Sequence, residues 1–164
     1  MRNVMTRILV PTDFSPLSDQ ALACALTLAH RFGASLHLLH VVNRPLLAEG
    51  LAAEASMSSG TGIKLDMVED ARQRLLAVTP EGATADVAFG YPATSIVEHA
   101  SRSGVDLIVM GSHGRTGIAH VLLGGVAEAI VRTAPCPVLT LRGPVKGPEP
   151  VAPRAELEPV REHE

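Results

Sequence analysis

Short unbroken apolar runs alternate with longer stretches in which apolar residues recur every three or four positions. The first run is Ile8 to Val10, which breaks at Pro11 and predicts a buried strand ending in a loop. Ser15 then offers an N-cap, Pro16 a first helical position and Asp19 a first-turn acid. Leu17, Ala21, Ala25, Leu28 and Phe32 keep helical spacing, and Gly33 supplies the stop. "SLHLLHVV" (35–42) is the second predicted strand. Residues 43–63 carry Ala, Ser, Gly and Met with weak periodicity and read as a mobile insertion, with partial helix around "LLAEGLAAEAS". A helix is expected over 64–78, with Leu65, Val68, Ala71, Leu75 and Val78 on one side. "ADVAFG" (85–90) is a third strand, and Pro92 opens a helix stopped near Gly104. "DLIVM" (106–110) is a fourth strand, residues 126–133 a helix, and "PVLTLR" (137–142) a fifth strand.

Five strands alternating with four helices predict a doubly wound α/β domain with a five-stranded parallel sheet. Continuous apolar strands fit a sheet covered on both faces, and βαβ units are right-handed. Ligands of such sheets bind outside the carboxyl ends of the strands, where strand order reverses. From Gly143 onward the pattern fails. The last 22 residues hold five of the twelve prolines and eight charged residues, so 143–164 is expected to be a disordered tail on a domain spanning 1–142.

Composition narrows the function. A chain of 164 residues fits one domain, able to bury roughly 70% of its unfolded surface without staples. A net charge of −3 and only four aromatic residues (one Tyr, three Phe) argue against nucleic acid as a partner, because neither a positive field nor stacking faces are present in bulk. Cys24 and Cys136 match no zinc spacing and are expected to be reduced thiols. No leader-like apolar core lies in residues 1–7, and no run approaches the ~20 residues of a membrane span, so a cytoplasmic protein without membrane attachment is expected.

The candidate chemistry sits after the fourth strand, in "GSHGRTGIAHVLLGGVAEAIV" (111–131). Gly111, Gly114 and Gly124 stand two and nine residues apart, and Gly125 follows. Glycines let backbone N–H groups approach an anion, and a helix starting at Val126 would aim free N–H groups and its positive dipole end at it. Arg115 adds a charge, and Ser112 or Thr116 a hydroxyl. The same glycines would equally serve a tight turn between strand and helix. Neither G-x-G-x-x-G after strand one nor G-x-x-x-x-G-K-[ST] occurs, so dinucleotide and P-loop NTPase sites are unsupported.

"ILVPTDFS", "HVV", "GYPATSIVEHA", "DLIVMGSHGRTGIAHVLLGGVAEAIV" and "PCPVLTLR", in this order, resemble the universal stress protein family over about residues 5–142. The nucleotide-binding branch of that family carries G-x2-G-x9-G-[S/T]; this chain has Gly125 at the last place. The resemblance implies ATP (or ADP or AMP), with Mg²⁺ as a companion, as a regulatory ligand. It puts Asp13 on the ribose, the backbone of Val41 on the adenine edge, and Pro11 and Thr12 at the border of that pocket. Met110 and Gly111 fall beneath sugar and phosphates, and Gly114, Gly124 and Val126 match phosphate-contacting backbone. His113 and Arg115 stand where they would face the phosphates. Gly125 loses one hydroxyl donor to a charged group, worth roughly 1.5–3 kcal/mol, or ~10- to 100-fold in affinity. The resemblance also implies a homodimer through the fifth strand, covering Val138, Leu139 and Leu141 in an isologous contact.

Other residues point less far. His37 and His40 are three apart on a strand and so face opposite sides. His30 and His99 lie in helices, and His113 and His120 in the loop; no pair has a carboxylate or thiol at ligand spacing, so no metal site is expected. No nucleophile–base pair or spaced carboxylate pair is evident, which leaves at most a slow ATPase. Two readings stay open. One is a dimeric stress-response protein binding ATP as a regulatory ligand. The other is a nucleotide-independent dimeric interaction protein that acts on a protein partner of unknown identity.

Overall fold

The computed structural model describes residues 5–43, 60–113 and 123–143. Five parallel strands form one sheet: β1 (Arg7–Pro11), β2 (Ser35–Asn43), β3 (Thr84–Gly90), β4 (Leu107–Gly111) and β5 (Val138–Leu141). Four helices connect them: α1 (Pro16–Phe32), α2 (Gly60–Val78), α3 (Pro92–Ser103) and α4 (Gly125–Thr133). Strand order is β3-β2-β1-β4-β5, so the order reverses between β1 and β4.

The apolar strands are unbroken because each feeds two cores. Ile8 and Val10 pack with Leu107, Val109 and Leu38 against Ala21, Ala25 and Leu75 of α1 and α2. Leu9, Ile108, Met110 and Leu39 face the other way, against Ile96 and Ala100 of α3 and Ala127 and Ile130 of α4. Period-two alternation thus divides one run between two layers.

Helix ends fall where the sequence puts them. Ser15 caps α1, accepting from the Ser18 N–H at 3.2 Å, and Gly33 ends it at φ 64°. Gly104 ends α3 at φ 59°. α2 differs: it begins at Gly60, inside the span expected to be insertion, and Asn43 belongs to β2. The rest of that insertion, and the tail from 144, lie outside the described residues. Phe32 and Val78 keep helical spacing but are 45% and 39% exposed. Each is the last residue of its helix, where the turn runs past the core. Cys24 and Cys136 are free thiols, as expected. Among the described residues no helix is long and apolar enough to cross a membrane.

Asp106 ties the two central strands together at their amino ends. Its Oδ2 accepts from Thr6 N (2.7 Å), Thr6 Oγ1 (2.8 Å) and Arg7 N (2.9 Å). The Thr6 amide first, then its hydroxyl and the Arg7 amide, hold this carboxyl below its ordinary value of 3.8. A carboxyl depressed by folding stabilises the native state above its ordinary value and loses that contribution as pH falls through the folded one. Replacing Asp106 by Ala should therefore cost about 1 kcal/mol at pH 7, a figure kept small by solvent exposure. The gap between variant and parent in denaturant unfolding should close as pH drops below 4, through the acid side of the ordinary carboxylate range.

Candidate functional site

A cavity of about 240 Å³ opens at the carboxyl ends of β1 and β4, at the point where strand order reverses. Its walls come from the ends of β1, β2 and β4 and from the first turns of α3 and α4.

The β1 wall is set by a sharply turned segment, Thr12 to Ser15. The Thr12 amide donates to Leu39 O (2.9 Å), continuing the sheet by one bond. The Thr12 hydroxyl accepts from the Phe14 amide (3.0 Å), and Asp13 Oδ1 accepts from the Ser15 amide (3.1 Å). These local bonds are turn chemistry of the kind Thr and Asp supply. Between them Phe14 takes φ 62°, a left-handed backbone that costs a non-glycine residue of order 1–3 kcal/mol. Its ring is held against His40 at 4.5 Å between centroids, with the Arg74 guanidinium 4.4 Å from the ring centre on the other contact. His40 Nδ1 lies 2.8 Å from Thr12 O. The strained turn is thus fastened to β2 and α2, and it sets Asp13 at the cavity wall.

The opposite wall is the junction of β4, β5 and α4. Ser112 is fully buried. Its N–H donates to Leu141 O and its carbonyl accepts from Gly124 N, both at 2.7 Å. Its hydroxyl lies 2.9 Å from His113 Nδ1. Gly111 makes this junction possible, because a Cβ there would stand 2.9 Å from Leu17 Cγ and 3.2 Å from His113 O. Gly124 is the N-cap of α4 and offers no capping side chain. Gly125, Val126 and Ala127 line the cavity, and the first-turn amides of an α-helix have no acceptor within their own helix.

Pro11, Thr12, Asp13, Val41, Met110, Gly111, His113, Gly124, Gly125 and Val126, each expected from sequence, all line the one cavity. Gly114 and Arg115, with Thr116 and His120, lie outside the described residues. The Gly124 N–H donates to Ser112 O at 2.7 Å. Ser18, Leu39, His40, Pro92, Ile96, Ser112 and Ala127 also line the cavity. For Leu39 the two-residue period back from Val41 was signal enough. Ser18 and Ile96 are placed by helix packing, which no local spacing encodes.

The glycines answer to different constraints, and substitution separates them. Gly111→Ala should lose about 1–3 kcal/mol, the usual cost of overpacking. A Cβ at Gly125 meets nothing within 4 Å. Gly125→Ala should be neutral or stabilise by about 0.4–1 kcal/mol. Thermal unfolding of the two variants beside the parent checks the contrast.

Comparison with known proteins agrees with this fold. The universal stress protein family model matches residues 5–142. The chain is 34% identical over 148 residues to universal stress protein MJ0531 of Methanocaldococcus jannaschii, covering 88% of this chain and 86% of that one. The solved structure of protein MJ0577 from the same organism superposes with a TM-score of 0.73 at 27% identity, covering 87% of this chain and 99% of that one. A universal stress protein solved in complex with cAMP shares the fold, with a TM-score of 0.56 at 24% identity over 84% of this chain and 97% of that one. Motif order, strand order and a matched span covering all five strands lead to one assignment: the chain belongs to the universal stress protein family.

Proposed function

We propose that this universal stress protein binds an adenine nucleotide, ATP foremost, as a regulatory ligand in the β1/β4 cavity. One observation carries the reading: a carboxylate at the end of β1 and a free helix N-terminus at the start of α4 line the same cavity. Asp13 is chemically suited to accept from ribose hydroxyls. The amides of Gly125, Val126 and Ala127 suit phosphate oxygens at a helix start. The apolar side chains of Val41, Ile96 and Met110 supply surface for a base. This is the nucleotide-binding branch of the family with glycine in place of its last hydroxyl donor. The domain spans 1–142, with 143–164 as an appended tail.

Among the described residues Asp13 is the only carboxylate at the cavity, and these residues form no cage of their own for Mg²⁺. The ion would arrive on the phosphates. Among the described residues no second acid stands at the cavity to position a hydrolytic water, and slow turnover at most is expected. A cytoplasmic location fits a nucleotide sensor of this kind.

Calorimetric titration of nucleotide-stripped protein with ATP and Mg²⁺ tests the reading. Micromolar binding is expected. Asp13→Asn keeps an acceptor for the Ser15 amide while removing the charge, and should weaken binding about 10-fold or more. Gly125→Ser restores the missing hydroxyl where there is space for it, and should tighten binding about 10-fold or more. Gly125 also favours a second reading, a dimeric interaction protein without nucleotide. Absence of binding at millimolar ATP in both the parent and Gly125→Ser would select it.

Under either reading we infer a homodimer through β5. This strand is an edge of the sheet, and Leu139 is 38% exposed on it. Leu139→Lys should halve the mass measured by light scattering while leaving the circular dichroism unchanged.

A further inference from the structure

Away from the cavity, three residues from three elements meet at the β3 edge of the sheet. His37 comes from β2, Asp86 from β3 and His99 from α3. One ligand atom from each lies within 4.8 Å of the other two. The two imidazoles stack with centroids 4.7 Å apart and planes 8° from parallel. His37 Nε2 stands 3.5 Å from Asp86 Oδ2.

The His37 ring is the informative member. Its Nδ1 is 2.7 Å from Thr84 Oγ1, while its Nε2 is buried and makes no hydrogen bond. The threonine hydroxyl either accepts from Nδ1–H or donates to Nδ1; in the first tautomer the Nε2 lone pair faces the Asp86 carboxylate 3.5 Å away, and a cation between these two acceptors is favoured. A proton is disfavoured: burial first, then the neighbouring His99, holds His37 below its ordinary 6.5 against the opposing pull of Asp86. Burial likewise lowers His99, with Asp86 opposing and Arg102 assisting. Burial thus disfavours the charged form of both rings, and the neutral imidazole is the form that ligates metals.

The spacing fits a metal. Bonds of about 2.1 Å at a tetrahedral angle separate two ligand atoms by roughly 3.4 Å, and the His37–Asp86 distance is 3.5 Å. His99, whose ligand atom lies within 4.8 Å of the other two, must close on them and turn out of its stack on His37, because two rings 8° from parallel cannot both aim an in-plane lone pair at one ion. Thr84 stands in the outer-shell place that fixes a ligating imidazole's tautomer. The Asp86 side chain is 67% exposed, so water can take the fourth position.

We propose that His37, Asp86 and His99 form a binding site for a divalent late first-row transition ion, Zn²⁺ foremost, with one position open to solvent. Mixed imidazole and carboxylate ligation selects this class over Mg²⁺ or Ca²⁺.

The test is titration of the metal-free full-length chain with Co²⁺ and Zn²⁺, followed by visible absorption and calorimetry, in the absence of nucleotide. The expected result is one equivalent of Co²⁺ giving the strong visible bands of a four-coordinate ion, displaced by Zn²⁺. Asp86→Asn and His99→Gln should each weaken Zn²⁺ by at least about 10-fold, and Thr84→Val by about 10- to 100-fold, the usual cost of an outer-shell partner. Asp86 is on an exposed edge strand, so its variant keeps the fold; circular dichroism of the metal-free variants checks this. Zn²⁺ affinity unchanged in Asp86→Asn and His99→Gln would overturn the proposal. So would the absence of a one-to-one complex up to millimolar metal.

Discussion

The Ser112 peptide clamp fixes the carboxyl edge of this sheet. Its amide reaches β5 and its carbonyl reaches the first residue before α4, each over 2.7 Å. Two backbone bonds of one buried residue thus set where the last strand and the last helix stand relative to β4. The clamp exists only because Gly111 lets the chain pass Leu17 of α1 with no Cβ between them. A side chain there would push β4 from α1, and the shift would pass through Ser112 to the amides of Gly125 and Val126. Gly111 and Gly124 serve close approach, and the amides after Gly124 border the cavity as a result.

The two cavity walls are built by opposite means. The α4 wall is relaxed backbone, with no positive φ at Gly111, Gly124 or Gly125. The β1 wall is strained at Phe14 and held by side chains: Thr12, Asp13, His40 and Arg74 all bear on one short turn. The strained residue itself does not line the cavity; its neighbours Thr12 and Asp13 do, and the strain is retained by the contacts around it. It is legible only from coordinates, since "TDFS" contains no glycine to betray the left-handed residue.

Much of the rest was legible, for identifiable reasons. Ser15, Pro16 and Gly33 bracket α1 because capping chemistry is local. "RILVP" and "LIVMG" announce buried parallel strands because both faces are covered. The cavity residues of β1 and β4 follow from those two assignments and the rule that ligands gather where strand order reverses. The start of α2 was missed because residues 60–63 carry glycine and threonine, poor helix formers whose propensity the helix overrides. The His37–Asp86–His99 cluster was missed because its members are 49 and 13 residues apart along the chain. They meet through strand register and helix packing. Asp86 pairs with Leu39, two residues beyond His37 on the same face.

The cavity and the histidine cluster share two elements. β2 gives Leu39 and Val41 to one and His37 to the other; α3 gives Pro92 and Ile96 to one and His99 to the other. Shared elements alone do not couple two sites. Coupling needs an element with two arrangements that each ligand binds differently. α3 is anchored between them by Ile96 and Ala100, 4% and 1% exposed, within a core that also contains Leu39 and Ile108. Close-packed interiors resist small sliding displacements. The packing of α3 thus shows one arrangement of this helix, and coupling between the two proposed sites through it would need a second. Pro92 and Ile96 of that helix line the cavity and His99 belongs to the cluster, so α3 is the element on which any such second arrangement would act.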